Sequence, residues 1–195
     1  KGNFYYLYLI EDIYSRKIVG WEIHESESAS HASLLIRKTC LAEGVQPDQL
    51  VLHSDNGSPM KGATMLATLQ KLGVVPSFSR PSVSDDNPYS ESLFRTMKYT
   101  PSYPAKPFES IEAAREWVHE FVQWYNEEHR HSGIRYVTPS QRHQGLDKEI
   151  LEKRKAVYEA AKEKNPQRWS GKIRDWSPVT KEWLNPPKEI RAEAQ

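Results

Sequence analysis

The sequence predicts an α/β domain with a mixed sheet. Three observations carry this: short aromatic and β-branched runs, amphipathic stretches between them, and their order of strand, strand, helix, strand, helix, strand, loop, helix, helix. Residues 4–11 (FYYLYLIE) and 17–24 (KIVGWEIH) have strand character, and the short polar DIYSR between them predicts an antiparallel hairpin. Ser28 or Ser30 is placed to cap the helix that follows and Gly44 to stop it, with Leu34, Leu35, Lys38 and Leu41 spaced along one face. Leu50 to His53 is an apolar run of the buried-strand type, ending in Ser54-Asp55-Asn56-Gly57. Residues 62–72 read as helix, Gly73 breaks it, and 74–78 reads as another strand. The segment 80–88 (RPSVSDDNP) consists of turn formers and hydroxyls, which predicts a mobile loop. Pro88 suits the first position of a helix through YSESLFRTMKY. Ser110 then opens a long amphipathic helix that buries Ile111, Ala114, Val118, Phe121, Val122 and Tyr125. A charged helix over 146–164 and a Pro- and Trp-punctuated tail complete the chain, dividing it into a core over 1–145 and an extension over 146–195.

With 195 residues, six Trp, ten Tyr and five Phe, the chain has material for a sizeable core, which excludes disorder throughout. The longest apolar run, Phe4 to Ile10, falls far short of the ~20 residues of a membrane span. The single cysteine, Cys40, excludes an intramolecular disulfide and fits a reducing compartment, the cytoplasm; its helical setting predicts a packed apolar residue. No signal peptide is visible, and the first residue is Lys, which predicts that something precedes it. The formal charge of +1 hides an asymmetry: residues 147–195 carry 12 basic and 9 acidic groups, leaving 15 and 17 for residues 1–146. Such a balance suits a nucleic-acid enzyme with a carboxylate site, and equally an ordinary soluble enzyme.

Two acids stand out by position. Asp55 follows a buried strand, where α/β sheets open onto crevices, and Asn56-Gly57 lets the backbone turn sharply beside it. An Asx-turn is the structural alternative. Glu91 lies on the first turns of a helix, and at 100° per residue it shares a stripe with Arg95 and Lys98, while Leu93, Phe94 and Met97 point away. A solvated face with intrahelical ion pairs is the alternative there.

Read together, HSDNGS (53–58) and DNPYSESLFRTMK (86–98), with 35 residues between Asp55 and Glu91, resemble the second half of a DDE transposase catalytic domain. Lys98 matches the basic residue that this family carries seven positions after its Glu. YLYLIEDIYSRKIVGW (6–21) and WYNEEHRHSGIRYVTP (124–139) agree with the insertion-sequence branch, whose catalytic core is similar to that of retroviral integrases, and the resemblance covers about 4–145. It implies an RNase H-like fold with a five-stranded mixed sheet flanked by helices. It implies Asp55 and Glu91 as catalytic metal ligands for Mg²⁺, with Mn²⁺ as a substitute. It implies Lys98 as a DNA contact, and Arg95 on the same stripe, Asn56 beside Asp55 and Arg130 in the turn after the long helix are further candidate DNA contacts. The reaction implied is cleavage at the ends of a mobile element and transfer of those ends into target DNA, by a homo-oligomer and without a membrane.

The resemblance also places the family's first catalytic Asp on a strand ahead of residue 4. Asp12 instead matches a hairpin position, where its carboxylate is expected to accept turn N–H groups. The sheet would then lack its central strand unless 4–11 pairs with 50–54 or another chain, and residues 1–195 alone are expected to be inactive. His129 and His131 lack further partners at zinc-ligand spacing. Trp169, Trp176 and Trp183 recur every seven residues and are expected to pin the tail as aromatic anchors. Two other readings stay open: a catalytically inactive transposase remnant that binds DNA or a partner transposase, and a nuclease of the same fold that hydrolyses without joining.

Overall fold

The computed structural model describes residues 4–80 and 86–184. They divide into two compact units, one built from 4–11, 19–80, 86–121 and 183–184, the other from 12–18 and 122–182. The division falls inside a helix, whereas the sequence suggests a boundary at 145.

In the first unit, β1 (Tyr6–Glu11) pairs with β2 (Ile18–His24), and the short connection allows only the antiparallel sense. Next comes α1 (Ala29–Ala42), capped by Ser28, whose side chain accepts from the Ser30 N–H. β3 (Leu50–Ser54), the short α2 (Ser58–Lys61), α3 (Ala63–Leu72) and β4 (Val74–Phe78) then form a parallel crossover unit, with Leu50 opposite Val74 and Ser54 opposite Phe78. Gly73 ends α3 at φ +64, a left-handed conformation that costs glycine little. α4 (Pro88–Tyr99) starts at its proline, as expected, and α5 (Ile111–Glu127) runs from this unit into the second.

The described residues therefore hold two two-stranded sheets, not one five-stranded sheet, and β1 does not pair with β3. The two sheets nevertheless share a core. Ala32, Ile36, Cys40, Met65, Leu69 and Val74 form its centre, and Tyr8 and Ile10 from β1 pack on it together with Leu50 and Leu52 from β3. Cys40 is thus a packed residue, and burial pushes its thiol up.

The buried face of α1 differs from the predicted one. Ala32, Ser33, Leu35, Ile36, Thr39 and Cys40 are inside, whereas Leu34 and Leu41 face solvent. Ser33 enters because its hydroxyl donates to the Ala29 carbonyl at 2.7 Å, and Thr39 because Gly20 on β2 has no Cβ to overlap its Oγ1. The buried side of α5 follows the prediction, with Ile111 half-buried.

The second unit carries the β1–β2 turn, the end of α5, a 3-10 turn at Ser132–Ile134, α6 (Pro139–His143) and α7 (Asp147–Lys164). Ile134, Val137, Leu151 and Trp176 form its core. Trp176 is the buried anchor among the three tail tryptophans; Trp169 is half-buried and Trp183 exposed. Arg135 and Tyr136 adopt φ +61 and +62, and the Arg154 guanidinium donates to both of their carbonyls. Among the described residues no helix is long and apolar enough to cross a membrane.

The corrected face of α1 gives a direct test by urea denaturation. Ile36→Ala, at 1% exposure, should cost about 2–5 kcal/mol, and Leu41→Ala, at 85%, about 0.5 kcal/mol or less.

Candidate active site

The site is built where β3 ends and α4 begins. Asp55, the first residue after β3, is exposed, and its Oδ1 accepts the Gly57 N–H at 3.0 Å, so the Asx-turn is real. Its other oxygen has no hydrogen bond among the described residues. The Asn56 amide donates to the Ser79 carbonyl at 2.8 Å, tying this turn to the segment after β4.

His53, inside β3, reaches further. Its Nε2 lies 3.0 Å from the Asp86 carbonyl and its Nδ1 3.0 Å from Ser77 Oγ. A carbonyl only accepts, so Nε2 carries the proton of this bond, and in the neutral ring Nδ1 accepts from the Ser77 hydroxyl. Asp86 is 1% exposed; its carboxylate takes the Arg80 backbone N–H at 2.7 Å and the Arg80 guanidinium at 3.0 and 2.7 Å. The guanidinium and that N–H hold the Asp86 carboxyl down to about 2. The expected mobile loop over 80–88 is thus anchored at both described ends; residues 81–85 lie outside the described residues.

Two residues after Asp86, α4 starts at Pro88, and Glu91 occupies its first turn, where the helix dipole favours an acid. Glu91, Arg95 and Lys98 are all exposed, and no ion pair joins them among the described residues, so the solvated ion-paired face is not observed. Arg95 lies 6.0 Å from the Tyr99 ring. Leu93 and Met97 are buried as predicted, but Phe94 is 38% exposed because it sits on the margin of that face. The Tyr89 hydroxyl donates to the Trp183 carbonyl at 2.7 Å.

The structure brings the two segments bearing Asp55 and Glu91 together through His53 and Asp86, a link the sequence reading missed. Its signal was present in the motifs: a histidine two residues before Asp55, and an acid just ahead of the Asn-Pro that opens α4. Among the described residues, no group of three His, Cys, Asp or Glu side chains is arranged to hold a metal.

Asp12 and Arg130 belong to the second unit. The Asp12 carboxylate accepts from the Tyr14 and Ser15 N–H groups at 3.1 and 3.2 Å, from the Ser15 hydroxyl at 2.5 Å and from His143 at 3.3 Å. Burial raises its pKa, but these bonds outweigh it and the net shift is downward. Ser15 and Asp12 both meet the same nitrogen of His143, and Ser15 is fully buried, so these three residues are not a nucleophilic triad. The Arg130 guanidinium donates to Gln141 at 3.2 Å. His131 Nδ1 accepts from the Gly133 N–H at 3.1 Å. Burial, with Arg16, His129 and Arg142 nearby, lowers the His131 pKa to about 4.

Two models of the integrase core domain match this chain, one over residues 1–84 and one over 72–139. The chain belongs to the integrase core family, and within it to the catalytic cores of insertion-sequence transposases. It is 31% identical over 135 residues to the transposase for insertion sequence element IS904 of Lactococcus lactis, covering 69% of this chain and 53% of that protein. A transposase-like protein of Haemophilus influenzae is 27% identical, with 69% and 61% covered. The transposase InsF for insertion sequence IS3A of Escherichia coli is 27% identical, with 70% and 47% covered. The chain thus spans about half the length of the relatives it matches.

The Arg80–Asp86 pair predicts a pH response. A depressed carboxylate pKa contributes stability that is complete above the ordinary value near 4 and lost as pH falls through about 2. A ¹³C NMR titration should give the Asp86 carboxyl a midpoint near 2; a midpoint near 4 would show that the clamp does not form.

Proposed function

We propose that this chain is the catalytic part of a DNA transposase that cleaves the ends of a mobile element and joins them to target DNA. The observation that best supports it is the His53–Asp86 bond, which ties the strand ending at Asp55 to the start of the helix bearing Glu91. Both acids are exposed oxygen donors, a set whose chemistry fits Mg²⁺ or Mn²⁺. When bound, the metal supplies the Lewis acidity that in-line displacement at phosphorus requires. Asp55 and Glu91 hold it, and Arg95 and Lys98, on the Glu91 stripe, attract the phosphates of the scissile strand. Asn56 and Arg130 are further DNA contacts in this reading. Element ends and target are both DNA, synapsis of two ends calls for a homo-oligomer, and the cytoplasm is the setting that the lone Cys40 favours.

The fold reading goes with it. β1 and β3 pack on one core, each with an edge that no described strand occupies, which supports a strand position between them in an RNase H-like sheet. The family's first acid would stand on that strand. Asp12 is a poor substitute, since its oxygens are already engaged by the turn.

Asp55→Asn or Glu91→Gln should abolish Mg²⁺-dependent joining by a chain extended upstream by about 20 residues, enough for a strand and its turn, while residues 1–195 alone should not join DNA. Joining by residues 1–195 that Asp12→Asn abolishes would sink this assignment, hydrolysis without joining would favour the nuclease, and an inactive extended chain that still binds DNA would favour the inactive remnant. Separately, Lys98→Ala should flatten the plot of log affinity against log salt by about one unit, as loss of a phosphate contact does. An unchanged slope would leave Lys98 a solvated side chain.

A further inference from the structure

In the second unit, residues 175–182 run as an irregular segment over a set of arginines. Asp175 accepts from the Arg135 guanidinium at 2.9 Å. The Val179 carbonyl accepts from Arg142 at 3.0 Å. Glu182 pairs with Arg16 at 2.9 Å and lies 3.6 Å from Arg142. Along this segment, acceptor oxygens therefore recur opposite one guanidinium after another. Arg142 is only 2% exposed, its guanidinium stacks 4.2 Å from the Tyr14 ring, and its buried Nε–H has no acceptor among the described residues. A buried charged group with an unused donor is costly, and the covering segment does not satisfy it.

We propose that Arg16, Arg135 and Arg142 form a binding surface for nucleic-acid backbone phosphates, and that segment 175–182 of the same chain covers it, with Asp175 and Glu182 in the places of phosphates. The inference rests on the reading of this protein as acting on DNA. The chemistry fits: guanidinium forks match phosphate oxygens in pairs. Burial first, and then the neighbouring Arg16, His129 and Arg142, lower the His131 pKa to about 4. Trp176, locked among Ile134, Val137 and Leu151, anchors the segment at its start, so residues 177–182 lift about a fixed point. The Asp175–Arg135 pair lies at the solvent-exposed rim, where an incoming phosphate competes first.

The test uses the full chain and a mixed-sequence DNA duplex, with affinity read by fluorescence anisotropy. Glu182→Gln should tighten binding by about fivefold at low salt and steepen the salt slope by about one to two units, as newly exposed phosphate contacts do. Adding Arg142→Ala to that variant should undo the gain. A folded Glu182→Gln protein with an unchanged slope overturns the proposal.

Should Glu182→Gln not fold, hydrogen exchange on the unaltered chain decides. On adding duplex, 175–182 should exchange faster and 135–143 slower; unchanged or slower exchange at 175–182 overturns the proposal. Protection at 91–98 without release of 175–182 sinks this inference alone. Protection at neither place sinks the DNA reading as well.

Discussion

The arrangement of the candidate site hangs on one imidazole. His53 points sideways out of β3, with one nitrogen on Ser77 of the neighbouring strand and the other on the Asp86 carbonyl. Strand pairing alone would align β3 with β4 and say nothing of where α4 starts. The ring converts that alignment into a fixed helix origin, because Asp86 is also gripped through its side chain by Arg80 at the far end of the connection. One residue, bonded through its carbonyl to the sheet and through its carboxylate to the loop, leaves little freedom for Pro88 and the turn after it. Glu91 inherits its position from this lattice and from its backbone bond to the Asn87 carbonyl, not from a bond of its carboxylate among the described residues.

Much of this was legible in the residues. Aromatic and β-branched runs, Gly73 and Pro88 each act within a few residues of themselves, so strands, helix stop and helix start emerged where expected. The face of α1 did not, since its burial depends on two polar residues. Ser33 satisfies its hydroxyl on its own helix, and Thr39 enters because the facing strand offers a glycine. Both facts are invisible to a pattern that sorts polar from apolar. Phe94 failed in the opposite sense: an apolar residue at the margin of a helical stripe stays half in water when nothing is built over it.

The same limit hid the architecture of the second unit. Arginines mostly stay exposed, yet Arg16 and Arg142 are both buried against acceptors supplied by a tail segment more than a hundred residues from Arg16. Asp147, also buried, is a further charge that composition assigns to solvent. Ion pairs of this kind are long-range in sequence and have no period, so only the folded chain displays them. Trp176 was the accessible clue, because a large aromatic in a polar tail needs a place to be buried.

The acids divide by what they have left to give. A carboxylate already saturated by N–H and O–H donors must surrender those bonds before it can ligate a metal. Asp12, with four donors, and Asp86, with three, are architectural by that measure. Asp55 accepts one backbone N–H and the Glu91 carboxylate has no hydrogen bond among the described residues, so their remaining lone pairs face solvent. Exposure alone would not single them out, since many glutamates here are equally bare. They also lie two and five residues from the two ends of the His53–Asp86 bond. Few bonds to give up, and nearness to that link, are the two measures by which we propose Asp55 and Glu91 as the acids for phosphoryl chemistry.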